Sequence, residues 1–161
     1  MRATSILPAG SWAAATAIDR VRLTYDERNR RRLRYVALGG TEFLLDLPRA
    51  MVMNEGDGLE LETGQVIAVE AAPESVVEVT TPEAGTLLRI AWHIGNRHLP
   101  AELHPAHILI RDDHVIVQML EGLGASVRHL QAPFTPESGA YAGAAGHLLF
   151  AHSHGAHQHV D

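Results

Sequence analysis

The spacing of apolar residues changes at Pro73, and this change limits what the chain can build. Before it, short β-branched or alternating segments are separated by turn signals at Gly39-Gly40, Glu55-Gly56-Asp57-Gly58 and Thr63-Gly64-Gln65. This pattern predicts an all-β module with strands over Ala17–Tyr25, Arg32–Ala37, Glu42–Asp46, Gly58–Glu62 and Val66–Glu70. The segments are too short and too evenly spaced for helices.

After Pro73, strand and helix signals alternate. Ser75–Thr80 places Val77 and Val79 on one face of a strand, and Pro82-Glu83 suits a first helical turn. Leu87, Ala91 and Ile94 then form one helical stripe that stops near Gly95-Asn96. Extended segments follow at Ala101–His104 and His107–Ile110. Asp112 or Asp113 caps a helix running to about Leu123, Gly124 ends it, and Ser126–Leu130 reads as a last strand. The order β-α-β-β-α-β is that of a ferredoxin-like domain. From Pro133 onward Pro, Gly, Ser and Ala dominate, which predicts unstructured chain. The expected class is therefore α+β: an N-terminal all-β domain over 1–73, a ferredoxin-like domain over 74–145, and a disordered His-rich tail over 146–161.

Composition narrows the chemistry. Hydrophobic residues at 46% of 161 positions suffice for a core. Cysteine is absent, so thiolate metal sites, disulfides and thiol nucleophiles are excluded. All 13 basic residues are arginine, which removes Schiff-base lysines and the usual P-loop. The formal charge of -6 argues against nucleic acid or an anionic membrane as partner. No apolar run approaches membrane-spanning length, and Met1–Ala17 lacks the apolar centre of a secretory signal, so a cytoplasmic location is expected. Any metal must bind through nitrogen or oxygen. The compositional anomaly is histidine, with 11 residues.

His147, His152, His154, His157 and His159 lie within the last fifteen residues. In extended chain, residues two apart face the same side, so each His-X-His pair can present two imidazoles together. Neutral imidazole suits nickel, zinc and copper(II), whereas magnesium and calcium prefer oxygen. A solvated low-complexity tail would explain the histidines without metal. A purification tag would show an unbroken histidine run, which this sequence does not have. Flexible chain holds an ion without strict geometry, which suits handling a metal better than using it in catalysis.

His98, in Gly95-Asn96-Arg97-His98, falls on the Ala91/Ile94 stripe if the helix extends that far. It is then either a helix C-terminal histidine favoured by the dipole or a ligand, shared by two copies at the axis if the protein is a two-fold dimer. Asp112 and Asp113 read as capping carboxylates; beside them, at a helix N-terminus that disfavours imidazolium, His114 is a surface histidine or an auxiliary ligand. His104, His107, His93 and His129 have ordinary structural explanations. Arg28, Arg30, Arg31, Arg32 and Arg34 form a basic cluster, read as a solvated strand face or as a dock for an acidic protein surface. Glu55, Asp57, Glu60 and Glu62 do not fit a calcium loop.

The Arg28–Arg34 segment, Leu45-Asp46-Leu47-Pro48-Arg49 followed by Gly56-Asp57-Gly58, Gly95-Asn96-Arg97-His98 and Asp113-His114-Val115 together resemble the UreE family of urease accessory proteins. Leu120–Gly124, Pro133–Glu137 with Gly139-Ala140-Tyr141, and the histidine tail extend the resemblance over essentially the whole chain. It implies a non-enzymatic nickel chaperone: an N-terminal domain for docking, a homodimer, and Ni(II) passed toward apo-urease and its accessory complex through the GTPase UreG. It also implies that His98 from two subunits binds the shared ion, aided by tail histidines such as His157 and His159. His152, His154 and His114 are further candidate ligands, and Zn(II) or Cu(II) would compete. One departure is Asp112, where some members carry histidine, which weakens the expected auxiliary site beside His114.

Three other classes fit less well. A metal hydrolase needs a constellation such as His-Glu-x-x-His, which is absent. A nickel-responsive DNA-binding regulator needs a basic recognition element in a favourable field. A passive metal store shares the tail but has no need of His98 at a dimer axis.

Overall fold

The computed structural model describes residues 1–138. The segment before Pro73 forms β1 (Arg2–Leu7), β2 (Asp19–Leu23), α1 (Tyr25–Arg28), β3 (Asn29–Val36), β4 (Glu42–Val52), β5 (Gly58–Leu61) and β6 (Val66–Ala71). The six strands make one sheet in the order β2-β6-β5-β1-β4-β3, with β1–β4 and β2–β6 parallel and the other pairs antiparallel. Alternation decides the core: Phe43, Leu45 and Leu47 of β4 point inward with Leu59, Ile67 and Val69.

Two features here depart from the sequence reading. β1 was not expected; its one fully buried residue is Ala3, too small to register as an apolar alternation, yet it pairs centrally with β4 and β5. β4 was expected to stop at Asp46 but continues through Pro48. Because proline has no N–H for the ladder, the β3–β4 register shifts between Arg30 and Arg32, and Arg31 Nε donates to the Leu47 carbonyl at 3.1 Å.

The second module is β7 (Pro73–Thr80), α2 (Ala84–Asn96), β8 (Glu102–Leu103), β9 (Ile108–Arg111), α3 (His114–Gly122) and β10 (Ser126–Pro133). Its antiparallel sheet runs β10-β7-β9-β8, the ferredoxin-like arrangement expected. Val77, Val79, Ile108 and Ile110 face the helices, meeting Leu87, Ile90 and Ile94 of α2 and Val117 and Leu120 of α3. Val76 and Leu109 bury on the opposite face with Phe134, while Tyr25 packs against them from the first module. Both faces of β7 and β9 are covered, so consecutive residues are apolar.

The join between the modules corrects two expectations. Thr24 and Glu27 form a capping box that starts α1, and this turn carries Arg28 into the protein, 0% exposed, away from the basic cluster. Its guanidinium donates to the carbonyls of Phe134 and Met53, and Tyr25 meets Phe134 edge-on with ring centroids 5.8 Å apart. Burial pulls the Arg28 pKa below the usual arginine value, opposed chiefly by Glu74 and Glu55. Around this centre Tyr25 N donates to Glu74 at 2.8 Å and Arg111 pairs with Asp26 at 2.9 Å. Pro133 is therefore the last residue of a strand and Phe134 is core, not the start of unstructured chain. The composition is loop-like, but the segment is tied down: Thr135 N donates to Glu102 at 2.9 Å and Glu137 N to the Ala101 carbonyl at 2.8 Å. The tail over 146–161 lies outside the described residues.

Asp19 ties β2 to the Gly39-Gly40 turn. Its carboxylate is held at about 2 by the Thr41 hydroxyl and by backbone N–H groups of Arg20, Gly39 and Thr41, which together outweigh its desolvation. Glycine is required beside it, because a Cβ at Gly39 would stand 2.8 Å from Asp19 Oδ2.

Two outcomes follow from these contacts. Phe134→Ala should lower unfolding free energy by roughly 3–5 kcal/mol in urea titrations, whereas an unstructured position would give almost none. Asp19→Asn should cost roughly 1 kcal/mol at pH 7, after discounting for partial exposure. Because the folded pKa lies below the unfolded 3.8, that contribution is present above about pH 4 and fades as pH falls toward 2. Melting curves across this range should show the two proteins converging.

Candidate metal centre

α2 forms because Leu87, Ile90 and Ile94 recur at helical spacing and bury against β7 and β9, each contributing roughly 2 kcal/mol. Its end positions His98. Arg97 is the C-cap; His98 N donates to Gly95 O at 3.0 Å and Leu99 N to Ile94 O at 3.3 Å, the paired bonds of a Schellman motif. Leu99 then packs in the cluster that contains Ile94, supplying the motif's apolar contact. His98 does not extend the helical stripe. It occupies the residue just past the C-cap with φ 56°, the one non-glycine residue with positive φ among the described residues. Glycine usually takes this position, since a Cβ there crowds the backbone. The imidazole is exposed.

The outward face of α2 leads to it. Leu88 and Trp92, four residues apart on the side opposite Ile90, are 74% and 64% exposed. An apolar stripe without a partner among the described residues thus runs along the helix toward His98. The sequence reading missed this stripe because it followed Leu87, Ala91 and Ile94, which mark the inner face. Pro100, shortly after His98, was the available sign that the helix would stop first.

The other candidate ligands are dispersed. His114 is the first residue of α3, exposed, while Asp113 caps the helix through Val115 N and Ile116 N at 2.9 and 3.3 Å. The Asp112 carboxylate accepts from His129 Nδ1 at 3.1 Å in the tautomer that carries the ring proton there. His93 meets Trp92 edge-on. His104 and His107 stack at the β8–β9 turn, with His104 Nε2 3.0 Å from Glu102 Oε1. His152, His154, His157 and His159 lie outside the described residues. Among the described residues no three His, Asp or Glu side chains stand as a ready metal cage. An ion at His98 needs ligands from another chain or from beyond residue 138.

Models of a family's two domains match in tandem: the UreE urease accessory protein N-terminal domain over residues 3–72 and its C-terminal domain over 74–160. The chain belongs to the UreE family. It is 50% identical to the urease accessory protein UreE of Beijerinckia indica over 89% of this chain and 82% of that protein. It is 52% identical to that of Chelativorans sp. strain BNC1 over 89% and 85%, and 49% identical to that of Rhodobacter capsulatus over 87% and 86%. As a UreE protein the chain is a urease accessory chaperone and not itself an enzyme. The family models meet at residue 73, where the sequence changes period. Among the described residues no helix is long and apolar enough to cross a membrane.

The backbone at His98 gives a direct test of why this residue stands there. If the side chain serves a ligand role and not the fold, His98→Gly should raise unfolding free energy by about 0.5–1 kcal/mol by relieving the positive φ. Urea titration reads this; a loss of stability would mean that the imidazole packs.

Proposed function

We propose that this chain is a cytoplasmic homodimeric carrier of Ni(II) that delivers the ion for assembly of the urease active site. The observation that carries the reading is His98: an exposed imidazole kept at a conformation that favours glycine, at the end of an apolar stripe unpartnered among the described residues, in a member of a urease accessory family. A second copy packing its own Leu88–Trp92 stripe against the first about a two-fold axis covers this surface and brings two His98 side chains together. Ni(II) is the cargo. Each neutral imidazole offers one lone pair, so two His98 rings leave coordination positions open.

Tail imidazoles fill those positions in this reading, with His157 and His159 nearest the end and His152 and His154 before them. Zn(II) and Cu(II) compete for the same nitrogen donors. His114 is at most an auxiliary ligand, because the neighbouring Asp112 carboxylate is engaged by His129. Partners are the UreG GTPase and the complex of apo-urease with its accessory proteins. The N-terminal sheet, with Arg30, Arg32 and Arg34 exposed on its edge strand β3, is the docking module. Neither nucleic acid nor membrane is a partner.

His98 and the tail together should bind one tight Ni(II) and one or two weaker ions per dimer. His98→Gly should remove the tight ion and lower nickel-dependent urease activation at least tenfold in a urease-expressing host, without loss of fold. Deletion after Gly146 should remove mainly the weaker ions. Calorimetry with mass measurement reads the binding, and cellular urease assays read delivery. Unchanged activation with His98→Gly sinks the carrier role, and full nickel retention after the deletion removes the tail from it.

A further inference from the structure

β8 is an edge strand, and the turn His104-Pro105-Ala106-His107 joins it to β9. Glu102 and His104 are two residues apart in extended chain and share a face. His107 is brought beside His104 across the turn, which His104 N closes by donating to His107 O at 3.0 Å. Three potential ligands thus meet on one side of a four-residue turn at the sheet's open edge. Glu102 Oε1 stands 3.0 Å from His104 Nε2, and the two imidazoles lie face to face with centroids 4.2 Å apart and planes inclined by 12°. The other carboxylate oxygen, Oε2, accepts from Thr135 N at 2.9 Å, which fixes the carboxylate plane.

Two ligands bound side by side to one first-row ion, with bonds of about 2.0–2.1 Å at a right angle, are about 2.9 Å apart. Glu102 Oε1 and His104 Nε2, 3.0 Å apart as a hydrogen-bonded pair that point at each other, need only a turn of the ring for both to face one ion. Among the described residues the one direct ion-pair partner of Glu102 is His104, and Arg28 acts on the carboxylate only at longer range. The stacked ring of His107 does not aim a lone pair at the same point as it stands, which is why no ready cage is present. Binding to the same ion requires the His107 ring to leave the stack by rotation about its side-chain torsions, which leaves the backbone turn intact.

We propose that Glu102, His104 and His107 form a second divalent-metal site, separate from His98 and the tail, for a borderline first-row ion such as Ni(II) or Zn(II). His104 binds through Nε2 with its ring proton on Nδ1, and Glu102 exchanges its hydrogen bond to that ring for a bond to the ion. Two imidazoles and one carboxylate select this class over magnesium or calcium. The site belongs to a single chain and needs no dimer axis.

The test uses the full chain loaded with Ni(II). Equilibrium dialysis should show one fewer ion per chain in the His104→Gln/His107→Gln double variant, whereas His98→Gly removes at most one ion per two chains. Glu102→Gln should weaken the site roughly tenfold or more. In amide-correlation spectra of the unaltered chain, Ni(II) should broaden the signals of Leu103, His107 and Thr135. These residues surround the proposed ion, and this measurement stands whether or not a variant folds. An unchanged ion count in a folded double variant overturns the proposal. So does survival of the three amide signals in the nickel-saturated chain, whatever happens at His98.

Discussion

The two sheets are joined through one buried cation. Arg28 is wholly buried, and its guanidinium ends on backbone carbonyls from both modules, Met53 and Phe134, with no carboxylate in direct contact among the described residues. A charge in such a position is retained only where hydrogen bonds replace water, since an unpaired buried ion is strongly destabilising. Its Nε has no partner, so the compensation is incomplete and the remaining support comes from nearby Glu74 and Glu55. Much else follows from this centre. Phe134 is held down, Tyr25 closes over it, and the segment after β10 is led across to Glu102 and Ala101. The chain leaves the described region bound to the strand that follows His98, so the buried arginine of the first module determines where the histidine-bearing end begins.

A second constraint acts at the other end of the same region. The inner face of α2 is fixed by Leu87, Ile90 and Ile94 against the sheet, and this forces Leu88 and Trp92 outward. The Schellman closure then requires a left-handed residue at position 98, whatever side chain stands there. Packing and capping alone therefore explain why this residue projects beyond the helix. They do not explain why it is histidine, because glycine would satisfy the backbone at lower cost. A residue that departs from the local preference without a structural return is where a functional requirement is expected.

Element types were largely legible because their signals are local. The β-α-β-β-α-β order, a cap at Asp112 or Asp113 and the Gly124 stop could be read from spacing, and all are present, with Asp113 as the cap. What escaped depends on partners distant in sequence. β1 carries little apolar periodicity and is a strand because β4 and β5 flank it. Arg28 looks like one of a solvated cluster until α1 turns it inward toward a carbonyl 106 positions away. Pro133–Glu137 has loop composition, yet its backbone groups are satisfied by Glu102 and Ala101. His98 falls on the inner stripe only if the helix runs that far, and the Schellman end turns it away first.

The division between rigid scaffold and histidine-bearing end also bears on exchange. A resident cofactor is held by a complete first shell whose ligands are oriented by a second shell. At His98 no hydrogen-bond partner for the imidazole is present among the described residues, the side chain is exposed, and no acidic neighbour completes a cage. Such a position cannot hold an ion alone. Binding must draw on groups brought from elsewhere, whose ordering opposes the gain from each new bond. In the proposed carrier, affinity then depends on assembly: high while the added ligands are in place and low once a partner displaces them. For a protein whose proposed task is to surrender its metal to another, an incomplete site on a rigid helix end has a physical advantage over a complete one. The ion can leave by exchange of ligands without unfolding the module that carried it.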